Sequence, residues 1–163
     1  MTDFYSYNSE PLLVKKRVLF KPATSSDTLK AGQVVCYNND ITTDIDGATV
    51  AAGTTNPGRS LIVEKPASGN LLFVAGIVCP ESDGAVDGDQ INIYILNGAD
   101  IPVYTDANCT NGTTILAAKA GTYNVSASAT GTVQIGIAKD TINRSVTNGL
   151  CLMCSQVRSK VPS

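Results

Sequence analysis

The sequence predicts an all-β fold, a compact β-barrel or β-sandwich with an extended N-terminal arm, and three observations predict it. The first is the stretch Asp87-Gly88-Asp89-Gln90-Ile91-Asn92-Ile93-Tyr94-Ile95-Leu96-Asn97-Gly98. It alternates Ile91, Ile93 and Ile95 with Asn92 and Tyr94 between an Asp-Gly and an Asn-Gly turn, the mark of a strand with one face buried and the other wet. The second is recurrence. Gly32 precedes Val34 and Cys36, Gly69 precedes Leu71, Phe73, Ala75 and Ile77, Gly121 precedes Tyr123, Val125 and Ala127, and Gly131 precedes Val133, Ile135 and Ile137. Gly149 starts the more continuous run Leu150-Cys151-Leu152-Met153-Cys154. The third is composition. Only 16% of the residues are charged, against about 25% in an ordinary domain, and the balance is Thr, Ser, Asn and Gly, which suit strands joined by turns. The spacing is too irregular for a true repeat.

At 163 residues the chain is expected to form a single β domain, 1–163, with an arm over 1–11 and a body over 12–163. The arm has Phe4, Tyr5 and Tyr7 among polar residues and lacks helical periodicity. Its aromatics are expected to pack on the body or on a neighbouring subunit. Leu12 to Phe20 reads as a strand with a basic edge at Lys15, Lys16 and Arg17, charges that discourage open pairing. Lys21 to Lys30 is a polar connection into the strand Gln33–Tyr37. Asn38 to Ser60 is rich in turn chemistry and reads as a long surface loop, with one short strand near Ala48–Ala51. Leu61–Val63 and Leu71–Cys79 follow as strands. Pro102 restricts Ile101–Tyr104 to an edge or a strand start. Thr114–Ala120 reads as a helical turn through Leu116-Ala117-Ala118-Lys119, and Val157–Pro162 as a final edge strand.

Much chemistry is excluded by what is missing. The chain contains no histidine, so Ser-His-Asp and Cys-His catalysis and histidine-ligated metal sites do not arise. No phosphate-binding or dinucleotide-binding glycine loop occurs. The net charge of −2 implies no general affinity for nucleic acid. It is unevenly placed: residues 1–30 and 158–163 hold seven basic groups against three acids, and the remainder five against eleven. The basic end reads either as a solvated edge or as a docking patch for an acidic partner. No run approaches the roughly 20 apolar residues that span a membrane. Residues 1–6 show no basic stretch leading into an apolar core, so the chain is expected to stay in a reducing cytoplasm.

Five cysteines, an odd count, fit free thiols better than a disulfide framework. Cys151-x-x-Cys154 has redox or zinc spacing, but residues three apart on a strand face opposite ways, so buried structural thiols are expected. A zinc site would need Cys36, Cys79 or Cys109 brought near. The acidic segments Asp40 to Gly47 and Asp83 to Asp89 resemble calcium-ligand spacing loosely, and ordinary Asp-Gly turns account for them. The four Asn-x-Ser/Thr sequons are expected by chance in so Asn- and Thr-rich a chain.

Four stretches carry a family resemblance: Leu29-Lys30-Ala31-Gly32-Gln33-Val34-Val35, Phe73-Val74-Ala75-Gly76-Ile77-Val78, Asp87-Gly88-Asp89-Gln90-Ile91-Asn92-Ile93, and Gly131-Thr132-Val133-Gln134-Ile135-Gly136-Ile137-Ala138. Their order is similar to that in the small β-rich decoration (cement) proteins of tailed-bacteriophage capsids. The resemblance spans about residues 28–140. It implies a homotrimer on the capsid exterior that clamps neighbouring subunits of the major capsid protein, with no catalytic site and no cofactor. On that reading Phe4, Tyr5 and Tyr7 anchor in grooves of the shell or of an adjacent protomer. Lys15, Lys16 and Arg17 meet acidic patches there. The rival expectation is a carbohydrate-binding or adhesin-type β-sandwich, which needs an exposed aromatic platform or a calcium site. With no Trp and 6% aromatics the platform is poorly supplied. A third reading is an enzyme subunit using carboxylates alone, although nothing in the sequence picks out a pair.

Overall fold

The structure, a computed structural model, describes residues 12–38, 61–144 and 148–155. Among the described residues ten strands form: β1 Lys15–Phe20, β2 Val34–Tyr37, β3 Ile62–Glu64, β4 Val74–Val78, β5 Gln90–Tyr94, β6 Asp100–Thr105, β7 Ile115–Ala118, β8 Ser126–Ala127, β9 Val133–Ala138 and β10 Gly149–Ser155. The first five close a barrel in the order β1-β3-β2-β4-β5, and the rest form a sheet in the order β6-β10-β9-β7-β8. All these pairings are antiparallel except β1 with β3, where Leu19 meets Ile62 and Phe20 meets Val63. The all-β reading holds, and the architecture is a barrel backed by a second sheet.

Two apolar clusters explain the sequence pattern. Inside the barrel lie Val18, Phe20, Leu29, Val35, Val63, Ala75, Val78, Ile91 and Ile93. Tyr123 joins them from beyond β7, its ring edge-on to Phe20 with centroids 6.1 Å apart. Outside the barrel wall, Val34, Cys36, Val74, Ile77 and Tyr94 cluster with Ile101, Val103, Leu116, Ile135, Cys151 and Met153 of the second sheet. Strands β2 and β4 are therefore covered on both faces, which is why their sequences run apolar instead of alternating. Tyr94, expected on a wet face, is buried for the same reason. A one-residue slip of β5 would turn Ile91 and Ile93 out of the barrel, at about 1.5–3 kcal/mol for each side chain, so the register is firmly set.

Gly32 joins the two halves. Its N–H donates to the Val78 carbonyl at 2.9 Å and its carbonyl accepts from the Tyr104 N–H at 2.7 Å, tying β4 to β6. Its φ is +83°, and a Cβ here would stand 2.6 Å from the Tyr104 nitrogen. Strand β6 is an edge, one of the two positions that Pro102 allows. The Tyr104 N–H points away from β10, and Pro102, two residues earlier, places its missing donor on that same outer side.

Several boundaries differ from the sequence reading. Thr114–Ala120 is not a helical turn: Ile115–Ala118 is β7, paired with β9 and β8. Leu, Ala and Lys favour helix locally, but two flanking strands supply tertiary pairing that overrides so weak a preference. The strand expected over Leu71–Cys79 starts only at Val74, because Ala67 to Leu72 is a turn held by the Asn70 side chain, which accepts from the Ala67 N–H at 2.7 Å. After Gly121 only Ser126–Ala127 is strand, with Val125 bridging to Thr105. The Lys21–Lys30 connection buries Leu29 completely. The arm, the Asn38–Ser60 loop beyond Asn38, and the Val157–Pro162 strand lie outside the described residues.

Replacing Gly32 by Ala combines a left-handed backbone with a steric clash, and we expect a loss of about 2–4 kcal/mol. Gly88 has φ +90° but open space around it, so Gly88→Ala should cost only about 1–2 kcal/mol. Equilibrium urea unfolding of the two variants checks the contrast. Equal losses would show that the junction contributes nothing.

Candidate interaction surface

Strand alternation separates the three basic residues of β1. Lys16 shares the inward side with Val18 and Phe20 and stands at the barrel mouth. There its Nζ donates to the Tyr37 hydroxyl at 2.9 Å and lies 4.8 Å from the ring centroid. Tyr37 is the last residue of β2, which runs antiparallel to β1 with β3 between them. Lys15 points outward, 2.6 Å from Glu81 and 5.6 Å from the Tyr94 ring centroid. Their mutual hydrogen bond raises the Lys15 pKa and lowers that of Glu81. Arg17 is exposed and has no ionic or hydrogen-bonding partner among the described residues. The basic edge is thus a plug, a surface ion pair and one open guanidinium. Phe4, Tyr5 and Tyr7 lie outside the described residues.

The same end of the barrel carries exposed apolar side chains. Leu12 is 82% exposed, Leu72 55% and Phe73 47%, and Leu13 and Val14 are also exposed. Register places them together. Lys15 and Ile77 both pair with Tyr94, so β1 and β4 run side by side with β5 between them. Their lead-in residues therefore sit two strand spacings apart, about 10 Å. Leu12 to Val14 continue the line of β1: the Val14 carbonyl accepts from the Ile95 N–H at 2.9 Å, and the Leu12 carbonyl from Asn97 Nδ2 at 2.9 Å.

Sequence reasoning missed the pairing of lysines with tyrosines. Besides the two pairs at the mouth, Lys30 lies 5.2 Å from the Tyr104 ring centroid and Lys65 5.0 Å from that of Tyr123. Every described tyrosine thus has an ammonium over it, a contact of about 0.5–1 kcal/mol at exposed sites. Lys65 also bonds Asp27 at 2.8 Å, and the Tyr123 hydroxyl donates to the same carboxylate at 3.0 Å. The Lys65 hydrogen bond, aided by Tyr123, holds the Asp27 pKa below the usual value. Burial, then Asp27, pushes that of Tyr123 up.

All five cysteines are free thiols, and Cys36, Cys79, Cys109 and Cys151 are buried. Cys151 faces the core, in the same apolar cluster as Cys109, while half-buried Cys154 lies on the other side of β10. The C-x-x-C pair is not brought together. Burial pushes Cys79 up to about 11 and Cys151 to about 12, which makes them poor nucleophiles. Asp89 holds its own turn by accepting the Val86 N–H at 2.9 Å, and Asp83 ties its loop to the Gly32 turn by accepting the Ala31 N–H at 2.8 Å. The Asp40–Gly47 segment lies outside the described residues. Among those described, no group of three or more Cys, Asp or Glu side chains converges as a metal site.

No family model and no curated protein matches the chain. Among solved structures it is similar to the crystal structure of the head fiber gp8.5 N base in bacteriophage phi29, with a TM-score of 0.47. The two share 12% identity over 93% of this chain and 100% of that one. At this level the likeness bears on neither activity nor partners.

Two solution measurements follow from this geometry. With a thiol-reactive chromogen the native protein should release about one equivalent quickly, from Cys154, and the rest only on unfolding. Rapid labelling of four or five would contradict the burial. Stability should fall at both pH extremes. The depressed Asp27 pKa gives stability present above the ordinary carboxylate value near ~4 and lost as pH falls through the folded value. The raised thiol and phenol values give stability complete below roughly pH 8.5 and lost as pH rises. Asp27→Asn should flatten the acid side of a pH series of urea midpoints and soften the alkaline side only in part, because Asp27 helps raise the Tyr123 pKa while burial raises it further and also raises the thiols.

Proposed function

We propose that the chain is a structural protein of a bacteriophage virion. It binds the capsid exterior as a homotrimer and clamps neighbouring major capsid protein subunits, after synthesis in the host cytoplasm. The reading assigns it no catalytic role and no cofactor. One observation carries it: the barrel is filled with its own side chains, which leaves its outer surfaces as the part that acts. Those surfaces gather exposed leucine, valine and phenylalanine at one end, beside the root of the aromatic arm, and grouped apolar exposure is what a protein partner covers. On this reading Phe4, Tyr5, Tyr7 and the exposed Arg17 are the side chains that meet the partner. Glu81 offsets the charge of Lys15, and Lys16 is turned inward to the neutral Tyr37, so neither offers the outer surface the open cation that the sequence suggests.

The four stretches behind the resemblance also form the frame: the Gly32 junction, β4, β5 and β9. The rival carbohydrate-binding reading is less well supported. Every described tyrosine face is occupied by a lysine. A cleft of about 520 Å³ lined in part by Thr24, Asn38, Glu64 and Lys65 has its carboxylate taken, since Glu64 accepts from Asn38 and Asn70 at 3.0 and 2.6 Å.

In a density gradient of virions whose genome encodes the chain, it should migrate with the major capsid protein at a fixed ratio, and antibody should label the shell surface. Absence from the particle would overturn the reading. Deleting residues 1–11 should lower occupancy on purified shells. Unchanged occupancy by a folded truncated protein would remove the arm from the interface.

A further inference from the structure

The exposed apolar end of the barrel has a definite occupant in reach. Leu12, Leu13 and Val14 on one side and Leu72 and Phe73 on the other are large apolar side chains left in water. The basic pair at the mouth does not cover them: Lys16 is turned to Tyr37 and Lys15 to Glu81. Eleven residues of sequence precede Leu12, and they contain Phe4, Tyr5 and Tyr7. They can extend about 36–40 Å.

We propose that residues 1–11 of one copy dock on the Leu72–Phe73 patch of a second copy. Direction favours a second copy. The carbonyls of Val14 and Leu12 are still bonded to Ile95 and Asn97, so at Leu12 the chain runs in line with β1. It is leaving the end of the barrel, at the point where the neighbouring chain turns away through Asn97-Gly98 into β6. Return to its own patch needs a reversal within the arm, and the bias against helical backbone that a proline places on the residue before it works against one next to Pro11. An outgoing segment meets the same end of a neighbouring copy, and a heterologous contact of that kind repeats around a closed ring. Aromatic rings on a leucine–phenylalanine surface form the type of contact that dominates interface energies. The inference shares the self-association part of the function proposed above and is independent of virion attachment.

The test uses purified full-length protein and light scattering coupled to size exclusion over a concentration series. The wild type should elute as a closed oligomer. Deleting residues 1–11, and separately Phe73→Ser with Leu72→Ser, should each lower the mass to one copy, a threefold fall for a trimer. Circular dichroism should show the fold retained, because these positions are exposed. Leu150→Ser, exposed on the outer face of the second sheet, should leave the mass unchanged. A monomeric wild type would overturn the proposal, and so would an oligomer that survives either change at the barrel end. Loss of the oligomer on Leu150→Ser alone would place the contact elsewhere and overturn it too. A monomer that binds virions would sink this inference and leave the virion reading standing; an oligomer absent from virions would do the reverse.

Discussion

The wall made by β2 and β4 is the constraint on which the rest depends. Val35, Ala75 and Val78 fill the barrel, while Val34, Cys36, Val74 and Ile77 pack against the second sheet. A wall shared by two cores leaves no side of these strands for solvent, a cleft or a ligand. Removing one of its large side chains opens a cavity that neighbouring atoms cannot easily fill, at about 2–5 kcal/mol for Ile→Ala. Gly32 belongs to the same constraint: its backbone bonds reach both halves and its missing Cβ lets them approach.

From that wall the surface follows. Strands occupied on both faces push polar and charged groups to the barrel ends and to the loops, where tyrosines and lysines meet. Each lysine keeps its charge in water while its stem and ammonium cover a ring. The phenol–carboxylate–ammonium set of Tyr123, Asp27 and Lys65 closes the end of the barrel opposite Tyr37 and Lys16. One barrel end is sealed by a network reaching from the second half of the chain. The other is closed by one lysine–tyrosine pair and keeps its apolar rim open.

Local pattern made much of this legible. β5, β9 and the edge position of β6 follow from alternation between glycine turns and from Pro102, because those signals act over a few residues. β7 was hidden since its sequence, Ile115-Leu116-Ala117-Ala118, carries no strand signal that outweighs helix propensity; partners distant in sequence decide it. Tyr94 was misplaced because alternation reports one buried face and cannot see a second sheet arriving on the other. The lysine–tyrosine pairs join residues 21 to 79 positions apart, so no window along the chain contains them.

The basic run of β1 shows how far a charge pattern reaches before geometry intervenes. Three consecutive cations read as one patch only if they share a face, and on a strand they do not. The pleat sends Lys16 to the barrel mouth and leaves Lys15 and Arg17 outside, and Glu81 then balances Lys15. What remains for a partner is a single guanidinium beside a larger apolar area. Attraction over distance is correspondingly weak, and contact must draw on buried apolar surface instead. Association at this end of the barrel should therefore depend on Leu72, Phe73 and the aromatic arm far more than on salt concentration, the opposite of what the linear charge distribution suggests.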